Sequence, residues 1–325
     1  MPLLRGMGRL MIMASPSPDR PARARPRHTL LAVALIAAPW MWFVLRDHDG
    51  GLADVLAVGL PLVAVGALLI LGLVAIVRRR WMPLWVGISV FLACLAAVVE
   101  PRLPRSAPLP ERPVKIAMAN VYDRNQVPDA AIAALESRSV DVLATVEMNA
   151  TFWERLDGIA ALPYGVVYGE LGVHGRWPMT LLRPAGLPRS RVLRVRVDAP
   201  GRPFVLYVAH ALNPRTGTSA FAAQQAFARS VVATASRERR PVVVVGDFNT
   251  SDRTLAYRIL DGSLRDAMRE GGVAGSTYFG GWWPALMLRI DHVFVSTDWC
   301  AADGSTFRVP GSDHRGIEVS VGPCP

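Results

Sequence analysis

Long, almost uncharged apolar runs fill the first third of the chain and give way, after residue 113, to short β-branched ones. Thr29–Leu45, Leu52–Val77 and Trp81–Val99 carry one acid, Asp54, near the start of the second run. Each has a length that can cross a hydrocarbon layer, the first being short for the purpose. Three transmembrane helices are predicted. The plainer alternatives are buried soluble helices or, for the first run, a cleaved signal peptide. Two further runs follow at once, however, and no small-residue cleavage site stands out after Leu45.

From Val114 onward the runs VKIAMANVY, VDVLATVEM, RVLRVRVDA, PFVLYVAHA, PVVVVGDFN, IDHVFVST and RGIEVSV predict strands. Helical spacing between them appears in PDAAIAALESR, SAFAAQQAFARSVVATA and SDRTLAYRILDG, the first opening with Pro128 and Asp129 as start signals. No repeat of solenoid size is visible. The alternation predicts one α/β domain over 114–325, its sheets covered by helices. Ahead of it PRLPRSAPLPERP is predicted to act as a stiff spacer, and the first residues, rich in Pro, Arg and Ser, read as a disordered tail. The expected division is a cytoplasmic tail at 1–28, three transmembrane helices at 29–99, a Pro-rich linker at 100–113 and the α/β domain at 114–325.

Composition supports a membrane portion. The 325 residues are 51% hydrophobic, with a mean hydropathy of +0.28, too apolar for a wholly soluble protein. A net charge of +10 points first to an anionic partner, yet about +7 of it precedes Val114, where arginines flank the apolar runs. They are concentrated in the tail (Arg5, Arg9, Arg20, Arg23, Arg25, Arg27) and in Arg78-Arg79-Arg80, while the loop RDHDGG is close to neutral. This bias places the tail and the triple arginine in the cytoplasm, and an odd number of spans carries everything after Val99 to the far side. Positive charge over 100–115 weakens the orientation without reversing it. Of three cysteines, Cys94 lies in the third run. Cys300 and Cys324 fall in the exported part, where a disulfide is permitted and two unpaired residues are the alternative.

Polar groups collect at the ends of apolar strands. Asn120 closes VKIAMAN, Glu147 closes DVLATVE, His210 closes FVLYVAH, and Asp247 with Asn249 closes VVVVGDFN. Asp291 and His292 open IDHVFV, and Asp313 with His314 precedes RGIEVSV. Strand-end loops are where rigid scaffolds carry sites, although each residue alone also reads as a turn residue, a helix cap or a satisfied histidine. Four valines ahead of Gly246 predict a central strand buried on both faces. Residues two apart on a strand point the same way, so Asp247 and Asn249 face one ligand if the extended geometry continues through Phe248.

In this order Asn120, Glu147, His210, Gly246-Asp247-Phe248-Asn249, Asp291-His292 and Ser312-Asp313-His314 resemble the endonuclease/exonuclease/phosphatase superfamily, which includes deoxyribonuclease I-like nucleases, sphingomyelinases and inositol-polyphosphate phosphatases. The resemblance covers most of Val114–Val321 and none of the membrane part. It implies a deoxyribonuclease I-like, two-sheet, four-layer α/β sandwich. It further implies that Asn120, Glu147 and Asp313 stand at a metal, that Asp247 orients or deprotonates the attacking water, and that Asn249 bonds the phosphoryl group. His314, held by Asp291, is expected to act on the phosphate or the nucleophile. His210 is similar to the histidine that bonds the phosphate or protonates the leaving group, with Asn213 beside it, and His292 matches as a structural neighbour. Chemistry agrees, since phosphoester hydrolysis needs a hard cation, a positioned water and a proton donor. A sparse oxygen set such as Glu147 with Asn120 suits Mg²⁺, and Mn²⁺ would fit as well. Two departures stand out. Tyr122 occupies the place where an Asn or acid often follows the first Asn, with Asn125 the next candidate. YGELGVHGRWPMTLLRP blurs an expected strand and leaves Tyr168, His174 and Arg176 as alternative phosphate contacts.

These readings predict a membrane-anchored, Mg²⁺-dependent hydrolase acting on a phosphomonoester, phosphodiester or pyrophosphate of a membrane lipid or lipid-linked substrate at the outer face, where tethering concentrates it. The order of spans, spacer and domain also resembles membrane proteins linked to teicoplanin-type glycopeptide resistance, which implies an undecaprenyl phosphate or pyrophosphate. An anchored extracytoplasmic nuclease is the alternative. It would need a basic groove on nucleic acid, and a nearly neutral domain with only a local RERR at Arg237–Arg240 argues against one. A non-catalytic phosphate-binding module is the third reading, and no protein partner is evident. GSTYFGGWWPALMLR, with Trp282 and Trp283, reads either as a core turn or as a lipid-facing lip.

Overall fold

The computed structural model describes residues 26–214, 217–281 and 283–325. The expected tail, apart from its last three residues, and Trp282 lie outside them. Three helices open the described chain: α1 (Pro26–Leu45), α2 (Leu52–Arg78) and α3 (Met82–Val99). Small residues of α2, including Ala57, Ala64 and Ala67, let it pack closely on Cys94 and Ala97 of α3. Their opposite faces carry exposed Leu62, Val65, Leu69, Trp85 and Leu92. Among the described residues two helices, Leu52–Arg78 and Met82–Arg102, are long and apolar enough to cross a membrane, against the three expected. Of the first helix, the apolar stretch among the described side chains is the shorter Ile36–Leu45.

The seven predicted strands and three predicted helices of the α/β part are all present. β1 (Val114–Asn120), β2 (Val142–Val146), β3 (Tyr164–Tyr168), β4 (Leu171–Gly175), β11 (Trp299–Arg308) and β12 (Arg315–Pro323) form a sheet in the order β11-β12-β1-β2-β4-β3. The second sheet runs β5-β6-β7-β8-β10-β9, built from β5 (Met179–Leu181), β6 (Val192–Val197), β7 (Phe204–His210), β8 (Val242–Asp247), β9 (Arg265–Asp266) and β10 (Asp291–Val295). The five strands not foreseen are β3, β4, β5 and β11, which come from Gly-rich or half-exposed sequence without clean alternation, and β9, which is two residues long.

Alternation along the strands builds four layers. Ile116 and Met118 face Leu206, Val243 and Val245 between the sheets. Their neighbours Ala117 and Ala119 pack outward on Ile132 of α4 (Pro128–Glu136) and Phe152 of α5 (Ala150–Leu156). On the second sheet Val242 and Val244 meet Val231 of α6 (Thr218–Ala235) and Tyr257 of α7 (Leu255–Asp261). The valines of β8 are therefore buried on both faces, each contributing about 1.5–3 kcal/mol. Cys300 and Cys324 form a disulfide that ties the start of β11 to the segment ending β12, with Cα atoms 5.1 Å apart.

The helices and the α/β part meet through buried polar contacts at one end of the bundle. Asp54 of α2 accepts from the backbone N–H of Leu255 at 2.7 Å and from Gln225 Nε2 at 2.8 Å. Arg253 donates to the Ala57 carbonyl at 3.0 Å. In the loop before α2, Asp47 pairs with Arg258 and Asp49 with Arg229. Gly51 carries φ 81°, and a Cβ there would lie 2.4 Å from the Thr218 carbonyl oxygen, so only glycine allows this approach. Residues 100–113, expected as a stiff spacer, lie along the domain. Arg102 bonds Asp252 at 2.9 Å, Arg105 bonds Asp261 at 2.9 Å, and Glu111 N–H donates to the Pro323 carbonyl at 2.8 Å.

Candidate active site

Two parallel pairs, β1 with β2 and β7 with β8, end at the same edge of the sandwich. Asn120 and Glu147 therefore arrive from one sheet and His210 and Asp247 from the other, His210 directly beside Asp247 in register. β10 runs antiparallel to β8 and sets Asp291 opposite Asp247. Gly246 makes the junction possible: its φ is 153°, and a Cβ would fall 1.9 Å from the Ala209 carbonyl oxygen. The glycine of GDFN is thus a close-approach residue of the backbone.

The side chains interlock around Asp247. Asn120 Nδ2 donates to Glu147 at 2.8 Å and to Asp247 at 3.1 Å. His210 Nε2 lies 3.6 Å from Glu147, while its Nδ1 bonds Glu170 at 2.8 Å. On the other side His314 Nδ1 bonds Asp291 at 2.9 Å and its Nε2 stands 3.7 Å from Asp247. Tyr278 lies edge-on to the His314 ring, with centroids 4.9 Å apart. Burial, then the facing Asp291 carboxylate, pushes Asp247 up to about 6 against the pull of His314 and His210. Burial alone would lower His314, but Asp291 and Asp247 outweigh it and raise it to about 10. His210 is likewise opposed by burial and raised by Glu170, Asp247 and Glu147, and Glu170 is lowered by its bond to His210.

Seven of the eight expected site residues meet here, and the eighth, Asp313, flanks them, its charge felt by His314. Asp313, expected at the metal, is half-buried and belongs to neither group of close ligand atoms; its Oδ2 lies against Gly280 instead. The strand does not run on through Phe248: it ends at Asp247, and Asn249 has φ 49° with its N–H donating to Asp247 Oδ1 at 2.8 Å. Phe248 is buried among Phe294 and His292. Asn249 Nδ2 donates to the Ala211 carbonyl at 3.1 Å. His292 bonds the Thr250 carbonyl at 2.9 Å and packs on Tyr257, a structural place. Asn125 ties the Val121 and Pro310 carbonyls together. Of the three open alternatives, His174 pairs with Asp157, Arg176 with Asp141, and Tyr168 sits beneath Arg189. The residue that joins the cluster from that stretch is Glu170, an acid in a tight turn that no pattern in the sequence marks.

The donors fit a hard divalent cation. One oxygen each of Glu147 and Asp247 and a ring nitrogen of His210 lie within 4.8 Å of one another, and so do donors of Asp247, Asp291 and His314. The carboxylate oxygens of Glu147 and Asp247 suit a hard cation such as Mg²⁺ or Mn²⁺. Asp291 Oδ1 is buried without a hydrogen-bond partner, an acceptor that a bound group would satisfy.

Known proteins bear on this geometry. The model of the Endonuclease/Exonuclease/phosphatase family matches residues 116–314, from β1 through His314. No curated protein matches the chain. Among solved structures, an endonuclease/exonuclease/phosphatase from Beutenbergia cavernae is similar at 18% identity and a TM-score of 0.51, over 66% of this chain and 72% of that one. The human Nocturnin catalytic domain, solved with a bound sulfate anion, is similar at 14% identity and a TM-score of 0.52, over 66% and 96%. A D. rerio TDP2 humanized by 14 mutations is similar at 16% identity and 0.52, over 65% and 99%. At these identities the likeness is one of fold.

Proposed function

The chain belongs to the endonuclease/exonuclease/phosphatase family, and from that premise we propose a membrane-anchored, divalent-cation-dependent phosphoesterase that hydrolyses a lipid-borne phosphoester or pyrophosphate at the outer face of the membrane. The observation that carries the reading is the place of Asp247, which is shared by both donor clusters. Asn120, Glu147 and Asp247 would hold the cation, which when bound neutralises phosphoryl charge.

The chain's own residues supply the rest. Asp247, fixed at one oxygen by the Asn249 N–H and shared by both donor groups, orients the attacking water. His314 is held as an imidazolium by Asp291, and its Nε2–H, too far from Asp247 for a hydrogen bond, is left to a phosphoryl oxygen. Asn249 offers the second amide hydrogen. His210, fixed at Nδ1 by Glu170, carries the proton for the leaving oxygen.

Several features support action at a membrane. The exposed apolar faces of α2 and α3 suit hydrocarbon. The α/β part sits at the bundle end where α2 begins, opposite Arg78–Arg80, as positive-inside bias requires of an outer domain. A Cys300–Cys324 disulfide suits an oxidising compartment.

The test uses the full chain in detergent. Phosphate release is measured from a long-chain prenyl pyrophosphate and a prenyl phosphate, phosphocholine release from sphingomyelin, and nicking from plasmid DNA, with Mg²⁺ and with chelator. Metal-dependent turnover of a lipid substrate is expected. Cleavage of DNA alone would move the assignment to a nuclease.

A further inference from the structure

An apolar cavity of about 280 Å³ opens between α2 and the active site. Val55 and Val58 of α2 form one wall, Phe221 of α6 and Leu288 with Ile290 form others, and Asn249 closes the catalytic end. Asn249 lies two residues beyond Asp247 and bonds its carboxylate through the backbone. The cavity thus begins where the phosphate is to be held.

Its other end continues into the helix bundle's outer surface. Val55 and Val58 are one turn apart, and the same face carries Leu62, Val65 and Leu69 at helical spacing, with Leu73 beyond. All four are exposed. An apolar track therefore leads along a candidate membrane span into the cavity and up to Asn249. The cavity is smaller than the pockets that enclose whole drug-sized ligands, so it can hold only the phosphate-proximal part of a chain whose remainder lies along α2.

Resting on the phosphoesterase reading, we propose that this cavity is the subsite for the first segment of a slim hydrocarbon chain attached directly to the phosphate, as in a long-chain alkyl or prenyl phosphate. Leu288 and Ile290, from the loop before β10, pack with Val58, so both parts of the protein line the cavity. The membrane helix is then part of the substrate site as well as an anchor.

The experiment uses the full chain in nanodiscs. Turnover of dodecyl phosphate and of ethyl phosphate gives a chain-length selectivity, the ratio of their kcat/KM values, in wild type, Val58→Trp and Val55→Trp. The ratio is expected to favour dodecyl phosphate in wild type and to fall by about tenfold or more when indole fills the cavity. A ratio unchanged in both variants overturns the subsite. An independent readout separates this from failure of the enzyme reading. A dodecyl phosphate bearing a diazirine near its phosphate is photo-crosslinked to the Asp247→Asn variant and mapped by mass spectrometry. Labelling of the Val55–Val58 or Phe221 peptides, competed by unlabelled dodecyl phosphate, upholds the subsite even if no ester is turned over. Labelling confined to the Leu62–Leu73 face contradicts it.

Discussion

Nε2 of His314 stands 3.7 Å from the Asp247 carboxylate, while its Nδ1 is bonded to Asp291 at 2.9 Å. One carboxylate holds the imidazolium and the other only faces it. Asp291→Asn keeps the shape and removes the charge that orients and raises His314. Turnover is expected to fall by about a hundredfold or more, with the melting temperature measured in parallel to show the fold intact.

Glu170 fixes His210 from the β3–β4 turn. Glu170→Gln is expected to lower kcat on the order of tenfold with a smaller change in KM. Glu170→Asp is expected to recover part of the loss, and steady-state kinetics on one substrate checks both.

Much of this site was legible because it sits where apolar strands stop. Asn120, Glu147, His210, Asp247 and Asp291 each break a run of buried residues, His314 stands just ahead of one, and β8 is buried on both faces as its four valines predict. Glu170 was not legible, because a lone acid in a turn between half-exposed strands looks like any solvated turn residue. Asn249 kept its place but not its geometry, since a left-handed φ depends on the Asx-type bond to Asp247 and not on strand period. Asp54 read only as an intruding acid in an apolar run. Its partners, Gln225 and Leu255, lie 171 and 201 residues away, a separation at which periodicity says nothing about which helix end meets which loop.

Asp54→Ala tests that joint. It leaves two buried donors without an acceptor, at a cost of about 1–3 kcal/mol for each. A lower melting temperature and faster proteolysis between α2 and α6 are expected, with Asp54→Asn closer to wild type because it keeps an acceptor.

Arg289 lies between two buried carboxylates, 2.9 Å from Asp266 and 3.4 Å from Asp252. Burial disfavours the charged form of both acids, yet Arg289 for Asp266, and Arg102 with Arg289 for Asp252, hold them below the usual carboxylate range. A depressed folded value gives stability that is complete above the unfolded value and lost as pH falls through the folded one, here below about pH 4. Arg289→Met leaves Asp266 without its cation and Asp252 with Arg102, costs about 3–5 kcal/mol at neutral pH, and is expected to move the acid-unfolding midpoint upward. Circular dichroism across pH 2–6 measures it.

Asp247 is the proposed centre of cation-dependent phosphoester hydrolysis, shared by both donor groups. Phosphate release from a long-chain prenyl pyrophosphate is measured for the full-length wild type with Mg²⁺, with chelator, and for Asp247→Asn with Mg²⁺. The predicted result is turnover by wild type alone, with chelation and substitution each lowering the rate by about a hundredfold or more. Equal rates in wild type and a folded Asp247→Asn, or a rate indifferent to chelator, would contradict it.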